Sequence, residues 1–343
     1  MPDVPEAPDV ALAAATRSDA VQAISVAARG RQLVILNEAH HSPEHRAFAL
    51  EVARALYRQG FRWFAAEDFA PKPDLSTLRD RGYAVRTDGF YLREPVFGDL
   101  VRQVVRLGYQ PVAYEMAKAP PDPSVSVEDR IRRREEAEAS ALVERVFQVD
   151  PEARVFVYCG YSHVAEDMSV GEDGRELGWM AALLQRRTGI DPLTIDQTDQ
   201  GPSASRTSAD WEYAQSHGWL QGPVVLWNAD GSGYVGGDYR GRVDLQVFHP
   251  PTVLRAGRPG WLAMHGYRRP TPIPAAALPT TGSVLVQAFV EGEQGDTIPM
   301  DQAVVRAGAA PPVLMLPRGR YRIEVQDPHG AEVLHTTELV RVR

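Results

Sequence analysis

The sequence has 343 residues, which suits two domains, and its 44% hydrophobic and 24% charged content is that of a globular protein. A net charge of −8 and a pI near 5.6 exclude a nucleic-acid partner, because such a partner requires a basic face. No run of 18 apolar residues exists, so no transmembrane segment is predicted. The Pro-rich beginning shows no secretory signal, which leaves a cytoplasmic location or a periplasmic one after signal removal.

The hydrophobic pattern predicts alternating strands and helices from residue 30 onwards. The expected helix 43–58 follows Ser42, a good N-cap, and begins with Pro43, a good first helical residue. Five repeats of strand then helix predict an α/β fold with a mainly parallel sheet flanked by helices. The predicted strands are 32–36, 61–66, 110–114, 154–158, 192–195 and 224–227, followed by a hairpin and edge strand in 234–249. The predicted helices are 17–29, 43–58, 95–107, 128–148 and 176–187.

The last quarter of the chain has a different character. Four prolines between residues 270 and 279 predict a stiff linker, and short alternating segments beyond it predict a small all-β sandwich. The expected domains are a leader and helix (1–29), an α/β domain (30–255), a Pro-rich linker (256–282) and an Ig-like β-sandwich (283–343). The predicted β-sandwich has no cluster of catalytic residue types, so we expect it to bind a protein partner or to form a homodimer.

Acidic and histidine side chains follow four of the predicted strands. Because the carboxyl ends of parallel strands meet at one edge of a sheet, we expect them to form a pocket. The chain turns after the first strand, so the pattern does not decide whether His40 or His41 faces that pocket. The set comprises Glu38, His40, His41 and His45 after the first strand, then Glu67, Glu115 and His163 after later strands.

Two kinds of chemistry suit this set. Carboxylates and imidazoles can ligate a divalent metal with an open position for water, and the candidate ligands are Glu38, His40, Glu115 and His163. Alternatively, a histidine acts as a general base while a glutamate fixes its tautomer, and water is activated without metal. Arg134 and Glu135 lie on the predicted helix 128–148, where a carboxylate on the apolar stripe needs a partner.

At these residues the sequence resembles the superfamily of erythromycin esterases, the haem-uptake protein ChaN and the Tiki/TraB metalloproteases. Asn37-Glu-Ala-His-His is similar to the Gly-Glu-x-x-His or Gly-Glu-x-His element of that group, with Asn37 in place of the usual glycine. His41 matches the esterase spacing and His40 the ChaN-like spacing. The resemblance covers about residues 30–200 and extends to Glu67, Glu115 in Ala-Tyr-Glu, the Arg134-Glu135 helix and His163 in Gly-Tyr-Ser-His.

The resemblance implies hydrolysis of an ester, lactone or peptide bond in a small-molecule or peptide substrate. We expect His41 or His40 to activate water, Glu38 to orient that histidine, and Glu67 and His163 to complete the catalytic set. The expected substrate contacts are His45, Glu115, Arg134, Tyr91 and Tyr161. The alternative that the resemblance implies is a non-enzymatic haem or divalent-metal binding protein, so the expected cofactor is none, a divalent metal or haem.

Overall fold

The computed structural model describes residues 7–72, 74–117, 120, 122–171, 173–202, 204, 207–327, 333–336 and 340–343. The chain forms two compact units. The first contains residues 1–79 and 104–251, and the second contains residues 80–103 and 252–343. In the described part of the chain, no helix is long and apolar enough to cross a membrane.

The first unit is built around an eight-stranded sheet. The strands of this unit are β1 (Thr16–Asp19), β2 (Leu33–Glu38), β3 (Trp63–Ala66), β4 (Gln110–Ala113), β5 (Val155–Gly160), β6 (Met168–Val170), β7 (Glu176–Gly178), β8 (Leu193–Asp196), β9 (Val224–Trp227) and β10 (Leu245–Phe248). Their order in the eight-stranded sheet is β1-β9-β10-β8-β2-β5-β3-β4. The six strands from β10 to β4 run parallel, whereas β9 is antiparallel to both β10 and β1. The helices are α1 (Ala20–Ala27), α2 (Pro43–Tyr57), α3 (Ser76–Arg81), α4 (Pro95–Leu107), α5 (Val127–Leu142), α6 (Met180–Thr188) and α7 (Ala209–Ser216).

Helices flank this sheet because its central strands are apolar on both faces. All residues of β2 and β5 are buried. Leu33 and Ile35 of β2 belong to a buried cluster with Leu142 of α5 and Met180 of α6. Side chains alternate along a strand, so the equally buried Val34 points to the opposite face. The prediction of a mainly parallel sheet flanked by helices is therefore confirmed.

Three elements differ from the sequence-based expectation. The predicted helix 17–29 begins as strand β1, and α1 follows only after Asp19, whose side chain accepts a hydrogen bond from the Gln22 N–H at 2.9 Å as an N-cap. The predicted helix 176–187 starts at Met180, because residues 176–178 pair with β6. Strand β10 is not an edge strand, because it lies between β8 and β9 and is fully buried.

The second unit combines residues 80–103 with the C-terminal strands. Its strands are β11 (Leu254–Arg255), β12 (Arg258–Pro259), β13 (Arg269–Thr271), β14 (Ser283–Val290), β15 (Asp301–Arg306), β16 (Leu314–Leu316), β17 (Gly319–Gln326), β18 (Val333–Thr336) and β19 (Val340–Val342). Five of them form one antiparallel sheet, and β13 pairs with β16. Within this unit, the buried side chains of Arg102 and Arg268 pair with Glu293 and Asp99 at 2.6 and 2.7 Å. The segment predicted as a linker thus contains strands and helical turns of this unit.

Candidate active site

Polar side chains from four neighbouring parallel strands lie at the carboxyl edge of the main sheet. Strand β2 ends at Glu38, and Glu67 directly follows β3. Glu115 follows β4 by two residues, and a 3-10 turn after β5 (Tyr161–Val164) contains His163. Because β2, β5, β3 and β4 are adjacent, these side chains share one edge of the sheet, as ligand sites in parallel sheets do.

Glu38 is 2% exposed, and three side chains donate hydrogen bonds to its carboxylate. Arg46 on α2 donates from Nε to Oε2 at 2.8 Å and from Nη2 to Oε1 at 2.9 Å. The Tyr158 hydroxyl donates to Oε2 at 2.8 Å, and His40 Nδ1–H donates to Oε1 at 3.0 Å. Burial alone would raise the pKa of Glu38, but the hydrogen bonds from Arg46 and His40 outweigh it and lower this pKa. Glu38 is therefore a fixed anion.

His40, not His41, contacts Glu38. The half-buried ring of His40 uses Nδ1 for this bond, and its Nε2 lies 3.9 Å from Glu67 Oε1, too far for a direct hydrogen bond. His41 is exposed, with Nδ1 3.4 Å from the Tyr161 hydroxyl. His40 is therefore the histidine that Glu38 holds beside the cavity, and a catalytic role for His41 stays a prediction.

Gly160 allows His40 and Glu67 to approach the end of β5. A Cβ atom at this position would lie 2.6 Å from His40 Nε2 and 2.9 Å from Glu67 Oε2, closer than real Cβ contacts. The Gly160 N–H also donates a hydrogen bond to Glu67 Oε2. The lack of a side chain at Gly160 thus makes room for the two polar groups.

Arg134 on α5 joins Glu67 to Glu115. Its Nη2 donates hydrogen bonds to Glu67 Oε1 and, at 2.9 Å, to Glu115 Oε2, while Nε donates to Glu115 Oε1 at 3.1 Å. Burial alone would raise the pKa of Glu67, but the charges of His163, Arg134 and His40 outweigh it and lower this pKa. Glu67 is thus a second anion of the site.

His163 lies beneath α5 and is almost fully buried. Its Nδ1 is 2.9 Å from Glu135 Oε1 and 3.3 Å from Glu138 Oε2, and its Nε2 is 3.7 Å from Glu67 Oε1. Burial alone would lower the pKa of His163, but the Glu135 hydrogen bond and the Glu138 and Glu67 charges raise it to about 9. Nδ1 is thus hydrogen-bonded to Glu135, and Nε2 is the nitrogen left to act on a substrate.

A cavity of about 190 Å³ connects these groups. His40, Glu67, Arg134 and His163 contribute its polar lining. The remaining lining residues are Ile131, Glu135, Gly160, Tyr161, Ser162 and Trp179. Two imidazoles and two carboxyl groups, those of Glu67 and Glu135, therefore face one space that a small chemical group can enter.

Other predicted substrate contacts have different positions. Tyr161 lines the cavity and is 42% exposed. His45 does not line it: it is buried, accepts a hydrogen bond from the Ala39 N–H at Nδ1 (3.0 Å) and stacks on His249. Burial lowers the pKa of His45, so the ring is neutral and supports the turn before His40. Tyr91 belongs to a 3-10 turn of the second unit.

Three residues of the site were not assigned a role from the sequence: Arg46, Tyr158 and Glu138. A strand-end glutamate that is buried needs a cation, and Arg46 is the first cationic side chain after Glu38, so this signal was available. Tyr158 lies on β5, next to β2, and its hydroxyl reaches Glu38 across the two strands. That contact depends on the pairing of β2 with β5, which no local pattern shows.

The metal ligand set expected from the sequence does not converge on one point. Arg46, Tyr158 and His40 occupy the carboxylate of Glu38, and Arg134 occupies that of Glu115. Among the residues that the structure describes, the only three with donor atoms within 4.8 Å of one another are Glu135, Glu138 and His163. His163 is therefore the one predicted ligand that belongs to a potential metal-binding group.

Comparison with known proteins gives no family for this chain. No protein-family model matches it, and neither does any curated protein. Matching solved structures include one described as bacterial protein toxins (17% identity, 55% of this chain and 38% of that chain, TM-score 0.40). A second is the RRSP effector domain of a MARTX toxin from Vibrio vulnificus CMCP6 (17% identity, 52% of this chain and 36% of that chain, TM-score 0.36). A third is the type III effector HopBA1 (15% identity, 69% of this chain and 95% of that chain, TM-score 0.39). The chain thus spans under two fifths of the first one, and likeness at these TM-scores supports no functional conclusion.

Proposed function

We propose that the first unit is a hydrolase in which His40 activates water for attack on an ester, lactone or peptide bond. The Glu38–His40 pair beside the cavity is the observation that carries this proposal. Glu38 accepts a hydrogen bond from His40 Nδ1–H, which leaves Nε2 as the basic nitrogen directed towards the cavity. A water molecule between His40 Nε2 and Glu67 would lose its proton to His40 as it attacks.

His163 acts as a hydrogen-bond donor, whereas His40 acts as the base. The pKa of His163 is raised to about 9, so both ring nitrogens carry a hydrogen at neutral pH: Glu135 accepts the one on Nδ1, and Nε2 can donate the other. A donor at this place would stabilise the negative charge that develops on the carbonyl oxygen during attack. Arg134 keeps Glu67 in position, since it bridges Glu67 and Glu115. A base and a donor thus act from two walls of one cavity.

The test is hydrolysis of p-nitrophenyl esters, a macrolide lactone and a peptide library by purified wild type, His40→Ala and Glu38→Gln. His41→Ala is the matched control, because it removes the neighbouring histidine that does not contact Glu38. We expect both site variants to lose at least about 100-fold in rate, the scale of general-base catalysis. His41→Ala should remain within a few-fold of wild type.

Two results would overturn the proposal. One is equal hydrolysis by wild type and His40→Ala. The other is no hydrolysis of any substrate class by folded wild type together with a Soret band on adding haem, which would instead support the haem-binding alternative. The cavity gives hydrolysis preference over haem, because its lining includes the Glu67 and Glu135 carboxyl groups and Arg134, whereas a porphyrin needs apolar contacts.

Two broader expectations accompany this proposal. We infer membership of the erythromycin esterase, ChaN and Tiki superfamily from the Asn37-to-His41 element together with Glu67 and His163. The antiparallel sheet of β14, β15, β17, β18 and β19 supports an Ig-like sandwich that binds a protein partner or a second copy of the chain. Size-exclusion chromatography with light scattering would detect the second copy.

A further inference from the structure

Two carboxylates and an imidazole meet at the inner end of the cavity, beneath α5. Glu135 and Glu138 are three residues apart on this helix, so their side chains share a face, and both are at most 1% exposed. The two carboxylates repel each other when both are charged, and burial away from water strengthens the repulsion. The His163 imidazolium supplies one positive charge beside them, and a divalent ion in place of its Nδ1 proton would balance both carboxylates.

Glu138 gives an independent sign of a missing partner. It is fully buried, yet neither carboxylate oxygen makes an aligned hydrogen bond in the described structure. Oε1 lies 2.8 Å from Arg134 Nε and Oε2 lies 3.3 Å from His163 Nδ1, but both contacts lack hydrogen-bond geometry. A buried carboxylate without hydrogen bonds is costly, unlike a carboxylate that ligates a metal.

From these observations we propose that Glu135, Glu138 and His163 form a binding site for a divalent transition-metal ion of the zinc type. Zinc in proteins takes nitrogen and oxygen ligands at about 2.0–2.2 Å, which in a tetrahedron places ligand atoms roughly 3.3 Å apart. His163 Nδ1 is 2.9 Å from Glu135 Oε1 and 3.3 Å from Glu138 Oε2. Small shifts of these side chains would satisfy the coordination geometry.

The surroundings orient the ligands and leave them accessible. The Met180 N–H donates a hydrogen bond to Glu135 Oε2 at 2.8 Å, and Arg134 Nε lies next to Glu138 Oε1. Glu135 Oε2 thus contacts both Met180 and His163 Nδ1, while its Oε1 also lies 2.9 Å from Nδ1. Glu138 turns Oε2 towards Nδ1 and Oε1 towards Arg134, and outer-shell partners orient metal ligands in the same way. Glu135 and His163 line the cavity, which gives an ion a route inwards.

The ion takes the place of a proton on His163 Nδ1, and two carboxylates balance its two positive charges. His163 keeps its Nε2 hydrogen in either case. The site is therefore compatible with the proposed hydrolase chemistry but does not rest on it. Its role is to fix the orientation of His163, and the water-activating groups Glu38 and His40 lie outside it.

The experiment is Zn²⁺ titration by calorimetry after removal of bound metal with EDTA, with metal content measured by mass spectrometry after gel filtration. The proteins are wild type, Glu138→Gln and the matched control Glu144→Gln, which changes an exposed glutamate of the adjoining helical turn. We expect one Zn²⁺ per chain in wild type and the control. Glu138→Gln should weaken binding by more than the roughly 10- to 100-fold that losing an outer-shell partner costs.

Failure of this proposal has a distinct signature. Absence of stoichiometric zinc in wild type would overturn it, and so would equal affinity in wild type and Glu138→Gln, because the ion would then bind elsewhere. If Glu138→Gln does not fold, Co²⁺ absorbance of wild type decides, since tetrahedral Co²⁺ gives visible bands and their absence overturns the site. His40→Ala should bind zinc like wild type, which separates this result from failure of the hydrolase proposal.

Discussion

Replacing Arg46 by methionine should destabilise the first unit because it leaves the Glu38 carboxylate buried without its cation. Both side chains are at most 3% exposed, and Arg46 donates two hydrogen bonds to Glu38. A hydrogen bond to a charged group contributes about 1.5–3 kcal/mol, and breaking a buried ion pair on one side costs about 3–5 kcal/mol. We therefore expect Arg46→Met to lower the free energy of unfolding by about 3–5 kcal/mol.

The matched control is Arg54→Met on the same helix. Arg54 pairs with Glu51 at 2.9 Å, but both side chains are about a quarter exposed, so the loss should be about 0–1 kcal/mol. Urea unfolding followed by tryptophan fluorescence suits the comparison. Every tryptophan except Trp261 belongs to the first unit, so the signal reports mainly on that unit.

The pH dependence of Arg46→Met identifies the cause of the loss. In wild type the pKa of Glu38 is lowered from its ordinary value of 4.5. The stability that the charged Glu38 contributes is therefore present above pH 4.5 and disappears as the pH falls through the lowered pKa of the folded state. Without Arg46, burial becomes dominant and raises this pKa. The loss should therefore be larger at pH 8 than at pH 5, where protonation relieves the buried charge. A loss equal to that of Arg54→Met, or one that grows as the pH falls, would refute this reasoning.

Two other perturbations test the supports of the site. Gly160→Ala should reduce ester or peptide hydrolysis, because the new methyl group would lie 2.6 Å from His40 Nε2 and displace that ring. The melting temperature should change little, because residue 160 has an extended backbone that alanine also adopts. Unchanged rates would contradict this packing. Burial lowers the pKa of His249 from 6.5 to about 3, so stability should fall by about 2 kcal/mol between pH 7 and pH 5. His249→Gln should reduce that slope in urea titrations, and an identical slope would argue against a neutral buried His249.

The parallel sheet could be predicted from the sequence because the signals for its strands and helices are local. Strand β5 and the first four residues of β2 form buried, mainly apolar runs, and Ser42-Pro43 marks the start of the following helix. Positions that depend on distant pairing were not predictable in this way. Strand β1 exists because Thr16–Asp19 pairs with Trp227–Val224, more than 200 residues away, and β10 is central because β9 covers its other edge. Neither relation leaves a mark in the local pattern.

The same distinction between local and distant relations applies to the residues of the candidate site. Glu38, Glu67 and His163 could be placed together because strand ends of a parallel sheet share an edge. The choice between His40 and His41 depends on how the backbone turns after β2, where strand alternation no longer applies. The position of Glu138 depends on the rotation of α5 about its axis. An acidic residue on the apolar stripe indicates a buried partner, but its contact with His163 required the three-dimensional structure.

Asn37, which directly precedes Glu38, stabilises the edge on which the site is built. Its Nδ2 donates hydrogen bonds to Asp196 Oδ1 at 2.8 Å and to the Tyr161 carbonyl at 3.0 Å, and its Oδ1 accepts from the Gln197 N–H at 2.8 Å. The side chain therefore joins the ends of three adjacent strands, β8, β2 and β5. A glycine here would leave the buried Asp196 carboxylate and the Tyr161 carbonyl without these partners.

The contact between Asn37 and Tyr161 explains how a strained turn persists beside the cavity. Tyr161 has φ 39°, in the left-handed region, which costs a residue with a side chain about 1–2 kcal/mol. A buried hydrogen bond contributes about 1 kcal/mol, so the one that Asn37 donates to the Tyr161 carbonyl offsets much of this strain. The turn ends β5 abruptly and starts the 3-10 segment in which His163 lies two residues later, within reach of Glu135. The strained turn at Tyr161 and the hydrogen bond that Asn37 donates to it thus act together to set the position of His163.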